Sequence, residues 1–363
     1  MSHKLLLFLI SISFILLLSC KKKEYDISAV CEKNDARAYV LKWETFPVMP
    51  GNVKIYRSDN PDDFTEKEPA VELPVQKGIA VMKKDSLLCN YFKLVFGKQQ
   101  TIVSNRAFSA DSIINLRELG GYYNESGHQV KWGKIYRSGD LSHATKQDIA
   151  LIRALHIKTA IDLRTHEEIA KFSSASFFEQ TFHLPLKGFD SRSLVQKVIN
   201  GQMKKGDVLI YQQDLHASII KENTDNFKQY FEILADSSNY PIIIYCGLGK
   251  DRTGIVAAMT LSVLGVNDEQ IYQDYMLSNY YMDLTKIVRT ADTLSSEIQE
   301  TLTALLGSKQ IIIEYAGKYV EKQYGSFNNY FEKELKMTNK QRQKLKEILL
   351  YENNPQTRTR LFN

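Results

Sequence analysis

The most informative part of the chain is Cys246-Gly247-Leu248-Gly249-Lys250-Asp251-Arg252-Thr253-Gly254. It follows the continuous apolar run 241–245, which is typical of a buried parallel strand. The apolar run 254–264 comes next and predicts a helix that ends at Gly265. A loop that joins a buried strand to the start of a helix presents unpaired main-chain N–H groups to an anion. The stretch therefore predicts a phosphate-binding loop in an α/β domain.

The side chains of this loop suit phosphoryl chemistry. Gly247 and Gly249 let the backbone approach a ligand closely, and the planar fork of Arg252 can grip two phosphate oxygens. The same positive surroundings favour a nucleophilic thiolate at Cys246, and Thr253 can donate its hydroxyl to the departing sulfur. The Gly-x-x-x-x-Gly-Lys-Ser/Thr spacing of an ATP-binding loop is absent. Two other interpretations stay open, namely an inert phosphate-binding turn and a phosphate-binding protein without turnover.

The loop carries the Cys-x5-Arg signature of protein tyrosine phosphatases, and its Gly-Lys-Asp-Arg-Thr-Gly ending resembles one bacterial and fungal branch of tyrosine and dual-specificity phosphatases. The other stretches that resemble this branch are 115–122, 136–142, 161–164, 274–279 and 324–326, within residues 110–350. The resemblance implies that Cys246 attacks the phosphoryl group and forms a cysteinyl-phosphate, which water then hydrolyses. It implies no metal or organic cofactor, because Arg252 and the loop amides of Gly247, Leu248 and Gly249 stabilise the charge.

An acid must also protonate the leaving oxygen, and two aspartates compete for this role. The resemblance favours Asp251, inside the loop. Asp190 is the rival, because it follows residues 183–186, after which many dual-specificity phosphatases place a mobile-loop aspartate. The alternatives are that Asp251 braces the loop and that Asp190 lies in a solvated turn.

Two basic residues bear on the substrate. Lys250 beside Arg252 predicts a more cationic pocket, which resembles that of enzymes accepting phosphoinositides as well as phosphoproteins; the alternative is an exposed lysine. Arg164 ends a strand on the side where α/β active sites gather, so it is either a second phosphate contact or the partner of Glu167 or Glu168. We expect phosphotyrosine as the substrate. The alternatives are a phosphoinositide or inositol phosphate and, from another class, a phospho-ligand binding lipoprotein without turnover.

One residue departs from the signature of the branch. The branch has a histidine immediately before the cysteine, where it organises hydrogen bonds around the thiolate, and this chain has Tyr245. We expect the loss of the histidine to make the thiolate form of Cys246 less favourable and to lower activity near neutral pH.

The connection 187–239 is long for a link between two strands. Its predicted helical stretches, 194–203 and 218–234, either cover the pocket as a lid, as in the branch, or pack as ordinary surface helices.

The first 26 residues predict export and anchoring. A basic start at 1–4 precedes the apolar run 5–19, which is shorter than the roughly 20 residues of a membrane-spanning helix and fits a signal peptide. Residues 17–20 resemble the lipobox of bacterial lipoproteins, which implies cleavage before Cys20 and a lipid on its thiol; the alternative is a short uncleaved anchor. We expect the protein in the bacterial cell envelope, lipid-anchored on the extracytoplasmic side, with the lysines 21–23 beginning a tether.

Residues 27–108 alternate apolar and polar side chains with a period of two, which is typical of strands and predicts a small all-β sandwich. The predicted strands are 38–43, 52–57 and 91–96. The segment resembles a fibronectin type III or immunoglobulin-like module, with Trp43 as the buried strand aromatic and Tyr91 as the corner tyrosine. Cys31 and Cys89 either form a disulfide in an oxidising compartment or are two buried small residues.

Composition excludes other classes. The chain has 363 residues, of which 44% are apolar and 25% charged, a globular balance. Its formal charge of +5 arises largely from four lysines in the first 23 residues, so the body lacks the basic face of a nucleic-acid binder. Four cysteines without a Cys-x-x-Cys pair argue against a disulfide scaffold and a zinc site. No oligomer is implied.

Strands alternate with helices from residue 109, and helices dominate 268–351. We therefore expect a signal peptide at 1–19, a lipidated tether at 20–26 and a β-sandwich at 27–108. We expect 109–363 to form an α/β, tyrosine phosphatase-like domain with a parallel sheet and a helical C-terminal part.

Overall fold

The computed structural model describes residues 25–33, 38–83, 91–173, 176–187, 191–283, 287–288 and 290–352. The predicted signal peptide and Cys20 lie outside these ranges, as do Cys89 and Asp190. Within them, every helix is too short or too polar to cross a bilayer.

The N-terminal part is all-β over its described residues. Its strands are β1 (Asp26–Lys33), β2 (Ala38–Phe46), β3 (Asn52–Ser58), β4 (Val71–Pro74), β5 (Ile79–Lys83), β6 (Tyr91–Phe96) and β7 (Gln99–Ser104), with a 3-10 turn at Val75–Lys77. They form two antiparallel sheets, β1-β2-β5 and β4-β3-β6-β7, whose inward side chains share one core. Trp43 is the predicted buried aromatic of β2, and its indole N–H donates to the carbonyl of Val75 at 2.7 Å.

Two expectations about this part stay predictions. The hydroxyl of Tyr91, the predicted corner tyrosine, donates to Glu118 of the α/β part at 2.7 Å, and its place at a corner of the sandwich is untested by this contact. Cys31 packs against the sandwich core. Since Cys89 lies outside the described residues, the disulfide stays a prediction.

The C-terminal part is built on a five-stranded sheet. Its strands are β8 (Arg117–Glu118), β9 (Ile135–Ser138), β10 (Thr159–Asp162), β11 (Gln180–His183) and β12 (Ile242–Tyr245), in the order β11-β10-β12-β9-β8. All pairings are parallel except that of β8 with β9. The strand β12 lies at the centre, with Ile242 and Ile244 in the core on one face and Ile243 and Tyr245 in the core on the other. Burial on both faces explains why this strand is apolar throughout.

Helices cover both faces of this sheet. They are α1 (Lys146–Ala154), α2 (His166–Lys171), α3 (Ser191–Ile199), α4 (Lys205–Glu222), α5 (Thr224–Leu234), α6 (Asp251–Val263), α7 (Asp268–Met276), α8 (Ser278–Tyr281), α9 (Ser296–Leu306), α10 (Gln310–Tyr324) and α11 (Asn339–Leu349). Short helical turns occupy Ser237–Asn239, Ala291–Thr293, Phe327–Asn329 and Tyr330–Glu334. The helix α6 begins three residues before the predicted start at Gly254, because the signature loop itself turns into the helix at Asp251. The helices α9 and α10 end at Gly307 and Gly325, respectively.

The two parts meet at one end of the sandwich. The Trp132 ring packs on Tyr91 and Ile102, and its N–H donates to the carbonyl of Ile102 at 2.9 Å. Glu118 lies beneath this contact, where its second carboxylate oxygen accepts the main-chain N–H of Gly133 at 2.6 Å. Burial raises the pKa of Glu118 to about 7, although the hydrogen bonds from Gly133 and Tyr91 oppose the shift.

We predict that this interface loses stability as the pH rises. Between pH 4.5 and about 7 the unfolded carboxyl is ionised and the folded Glu118 is protonated, so the folded state binds more protons. Folding stability therefore falls across this window by at most about 3 kcal/mol from this group. In Glu118→Gln the fall in the urea midpoint from pH 5 to pH 8 should be smaller than in the wild type. Equal slopes in the two proteins would contradict the assignment.

Candidate active site

The signature loop joins the centre of the sheet to a buried helix. Cys246 follows the last residue of β12 and is 2% exposed, and Asp251 begins α6. The loop therefore lies at the carboxyl edge of the parallel strands, where α/β folds place their ligands.

Residues outside the loop hold its carbonyl oxygens. The main-chain N–H of Asp140 donates to the carbonyl of Gly247 at 3.1 Å. The side-chain amide of Asn115 donates to the carbonyls of Leu248 at 3.1 Å and of Gly249 at 2.9 Å. These contacts turn the oxygens of the loop outward.

The loop amides consequently face the inside of the loop. In a trans peptide the N–H points opposite to the C=O, so the N–H groups of Leu248, Gly249 and Lys250 point away from those outer partners. None of these three groups donates to an atom of the described residues. Convergent amides before a helix N-terminus form an anion-binding site.

A buried ionic network stands behind the loop. Arg137 donates to the carbonyl of Gly249 at 2.7 Å and to the carboxylate of Asp274. Arg117 donates to the main chain of Asp274 at 2.9 Å and to the hydroxyl of Ser278 at 3.3 Å. Burial would raise the pKa of Asp274, but Arg137 and Arg117 hold it below its ordinary value. The carboxylate is therefore ionised and fixes both arginines.

Arg252 is held by a residue of α2. Its two terminal nitrogens donate to the two carboxylate oxygens of Glu168 at 2.5 and 2.9 Å. Burial alone would lower the pKa of Arg252, but these hydrogen bonds and the nearby Cys246 raise it, so the guanidinium stays charged. Among the described atoms, its Nε–H and its second Nη2–H have no partner. That edge of the fork remains available to two phosphate oxygens.

Thr253 carries a further unused donor. The side chain is fully buried, and its hydroxyl has no hydrogen-bond partner within the described part of the chain. A buried unpaired hydroxyl next to a binding loop suits the predicted donor to the cysteine sulfur.

Asp251 lies in a buried polar cluster. Its Oδ1 is 3.3 Å from the hydroxyl of Tyr275, 3.6 Å from Nε2 of His216 and 3.5 Å from Nζ of Lys250. Burial lowers the pKa of His216, which Asp251 offsets only in part, so this imidazole is neutral near pH 7. The contacts fix the carboxylate at the first residue of α6.

The predicted role of Lys250 in a cationic pocket is wrong. The side chain is neither exposed nor in the cleft, because it is fully buried and its ammonium donates to the carbonyls of Leu305 at 2.8 Å and Gly307 at 3.1 Å. These carbonyls belong to the end of α9, where the helix leaves them unpaired and attracts a cation. Lys250 therefore anchors the loop to α9.

The predicted pairing of Arg164 with Glu167 or Glu168 is also wrong. Arg164 donates to both oxygens of Asp162, the closest at 2.8 Å, and to Asp140 at 2.8 Å. Tyr245, which stands in place of the histidine of the branch, donates its hydroxyl to the same Asp162 at 2.8 Å, and its ring lies 5.5 Å below the Arg164 guanidinium.

A cleft of about 740 Å³ opens beside the loop. Gly247 and Leu248 form part of its wall, together with Arg164, Glu168 and Phe172. The other lining residues are Ser112, Ile114, Asp140, His143, Lys171, Val195, Gln196 and Ile287. The role of Arg164 as a second phosphate contact stays a prediction.

The two predicted lid stretches have different positions. Val195 and Gln196 of α3 line the cleft, so this helix covers part of the site. In contrast, Phe227, Tyr230 and Leu234 of α5 are buried in the main core. The second stretch therefore packs on the sheet and does not form a lid.

The rival acid Asp190 lies outside the described residues.

The sequence alone does not single out several residues of the site. Asn115, Arg117, Arg137, Asp274 and Ser278 were visible only as members of the stretches that resemble the phosphatase branch. No pattern singled out His216, whereas Thr165-x-x-Glu168 is a capping-box sequence that the structure confirms at the start of α2.

The structure thus places a buried cysteine beside the unpaired loop amides, with an arginine six residues later, as the sequence predicts for a cysteine-dependent phosphatase. Residues 108–351 match the tyrosine phosphatase family, and the chain belongs to this family. The protein is therefore an enzyme of the phosphatase class.

Three relatives show how far the likeness extends. The chain is 25% identical over 228 residues to a Cupriavidus necator protein named as a tyrosine-protein phosphatase, a match that covers 61% of this chain and 81% of that protein. It is 23% identical over 261 residues to the triple specificity protein phosphatase PtpB of Mycobacterium tuberculosis, which covers 59% and 92%. It is 27% identical over 150 residues to a tyrosine-protein phosphatase of Nostoc commune, which covers 40% and 49%.

We predict that Gly249→Ala strongly lowers activity, whereas Gly206→Ala leaves it unchanged. Gly249 has a φ of +65°, and a Cβ there would lie 2.3 Å from the carbonyl oxygen of Ser138, so the loop must shift. We expect kcat/KM for an aryl phosphate to fall about 100-fold or more, because a 1 Å misplacement has an effect of that size. A Cβ at Gly206 meets nothing within 4 Å. Wild-type activity in Gly249→Ala would show that the loop geometry is not required.

Proposed function

We propose that the protein hydrolyses phosphomonoesters, with phosphotyrosine as the leading substrate, through a phosphoryl group carried on Cys246. The observation that supports this most strongly is the outward fixing of the loop carbonyls by Asn115, Arg137 and the amide of Asp140. It leaves three amides and one edge of Arg252 to face an anion at the cysteine.

The first chemical step forms a sulfur–phosphorus bond and breaks the phosphorus–oxygen bond of the ester. The loop amides and Arg252 neutralise the charge on the phosphoryl oxygens in the transition state. Water then attacks phosphorus, the sulfur–phosphorus bond breaks, and the thiolate is restored with the hydroxyl of Thr253 as its donor. This sequence uses only groups of the chain and water.

We propose Asp251 as the acid that protonates the leaving oxygen. It lies at the first residue of α6, and Tyr275 and Lys250 fix one of its oxygens. Asp190 is the alternative acid.

The cleft favours an aryl phosphate over an inositol phosphate. Its apolar wall contains Ile114, Phe172 and Leu248, which suit an aromatic ring. The inositol phosphate interpretation depended on Lys250. The ammonium of this residue donates its hydrogen bonds to carbonyls at the end of α9. Phosphoinositides remain the second substrate candidate.

We propose that the N-terminal part is a spacer between the membrane anchor and the catalytic part. We propose that its strands form a fibronectin type III-like module, since seven antiparallel strands make a three-stranded and a four-stranded sheet around Trp43. We further propose a signal peptide at 1–19, a lipid on Cys20 and a location on the extracytoplasmic side of the cell envelope, based on the basic start, the apolar run and the lipobox-like sequence.

The first test is hydrolysis of a small aryl phosphate between pH 5 and pH 8 by the purified chain and by Cys246→Ser. We expect turnover without added metal and with an acidic optimum, and no turnover in Cys246→Ser. Absence of turnover in the folded, reduced wild type, together with binding of vanadate, would favour a phospho-ligand binding protein. Tyr245→His would then show whether the departure from the branch is responsible.

The second test assigns the acid through the leaving group. A general acid matters most when the leaving oxygen is basic. We expect Asp251→Asn to lower kcat about 100-fold or more for phenyl phosphate and far less for an ester with an acidic phenol. Asp190→Asn is the matched control. If only Asp190→Asn shows this dependence on the leaving group, the assignment is reversed.

The third test concerns Lys250. Because its ammonium anchors the loop rather than facing the cleft, Lys250→Met should lower kcat/KM for an aryl phosphate and for an inositol phosphate by a similar factor. A selective loss with the inositol phosphate, of about tenfold or more, would restore the cationic-pocket interpretation.

A further inference from the structure

The end of the sandwich opposite the catalytic part carries an exposed apolar tip, which we define as Phe46, Pro47 and Val48. Phe46 is 77% exposed and Val48 is 68% exposed, although both are large and apolar. Phe46 ends β2, where the side chains of the strand have left the core. Adjoining exposed apolar side chains, unlike single ones, mark a contact surface.

The strand register places this tip next to the N-terminal tether. Phe46 pairs with Asp26, the first residue of β1. The neighbouring sheet ends at the same level, because Gln99 at the start of β7 donates to the carbonyl of Tyr25 at 2.8 Å. The chain therefore enters the sandwich at the tip.

The catalytic part contacts the other end. Tyr91, which begins β6, and Ser104, which ends β7, are cross-strand partners at that end. The hydroxyl of Tyr91 donates to Glu118 there. The strands thus run from the tip to the catalytic part, and the nine residues of β2 correspond to about 30 Å.

We propose that the tip inserts into the lipid bilayer that holds the anchor. This inference rests on the lipid at Cys20 proposed above. Six residue steps separate Cys20 from Asp26, so Asp26, the cross-strand partner of Phe46, stays within about 21 Å of the lipidated residue. An apolar side chain confined so close to a membrane reaches it at a high effective concentration, and its transfer from water to an apolar environment is favourable.

Charge is a minor part of this contact. Lys77 and Lys98 are exposed near the tip, but Asp26 and Glu72 are exposed there as well. The attraction therefore depends on the apolar side chains. Contact through the tip orients the strands roughly perpendicular to the membrane and holds the catalytic part about 30 Å from its surface. This distance favours phosphoproteins as substrates over the lipid headgroups of the same leaflet.

The test uses tryptophan as a depth reporter in the full, lipidated chain. Phe46→Trp places a tryptophan at the tip, and Val81→Trp places one at a position that is 62% exposed on β5, opposite Val40 and away from the tip. The chain's own Trp43 and Trp132 are buried and contribute equally to both variants. Each variant is reconstituted in vesicles of phosphatidylethanolamine and phosphatidylglycerol, with and without brominated phosphatidylcholine.

We expect the emission of Phe46→Trp to shift to the blue and to lose about half its added intensity in brominated vesicles, whereas Val81→Trp changes in neither respect. Quenching of both variants would show that the sandwich lies flat on the membrane, against the proposal. An unquenched Phe46→Trp that sediments as a dimer would assign the tip to a second copy of the chain.

The mass of the N-terminal peptide reports the lipid on Cys20 separately. A peptide without lipid overturns the anchoring on which the inference rests. A lipidated protein whose Phe46→Trp is unquenched overturns the role of the tip and leaves the anchoring intact.

Discussion

The outward orientation of the loop carbonyls is the constraint on which the site depends. The side chain of Asn115 holds two of these oxygens, Arg137 holds one of the same two, and the amide of Asp140 holds a third. Each bond is ordinary in strength. Together they point the carbonyl oxygens outward, so that an anion inside the loop meets the N–H groups. The loop then has Gly249 where its backbone passes the carbonyl of Ser138, because a side chain does not fit there.

The basic residues around this loop divide into two roles. Arg252 keeps one edge of its fork available beside Cys246, and it is the one we assign to substrate. Arg137 and Lys250 instead donate hydrogen bonds to main-chain carbonyls. These bonds hold the loop in place. The cost of burying Arg137 is offset by its pair with Asp274. Proximity of a lysine to Arg252 in the sequence therefore does not make it a substrate contact.

The sequence predicted the central strand, the loop and the helix correctly, because apolar runs, glycines and the order of residue types are local signals. It also predicted an all-β segment before an α/β part. It misplaced Lys250 and the partners of Arg164, because both depend on how α9 and the strand ends pack in three dimensions. His216 carries no local signal at all, since a histidine within a helical stretch reveals its neighbours only when that helix docks beside Asp251.

We propose that the phosphoryl group passes through the sulfur of Cys246 during turnover. The most direct measurement is an acid quench of the chain during turnover of an aryl phosphate, followed by mass spectrometry of its peptides. We expect the peptide containing Cys246 to gain the mass of one phosphoryl group, and this mass to decay as the substrate is exhausted. Steady release of phosphate with no phosphoryl group on Cys246 at any quench time would contradict it.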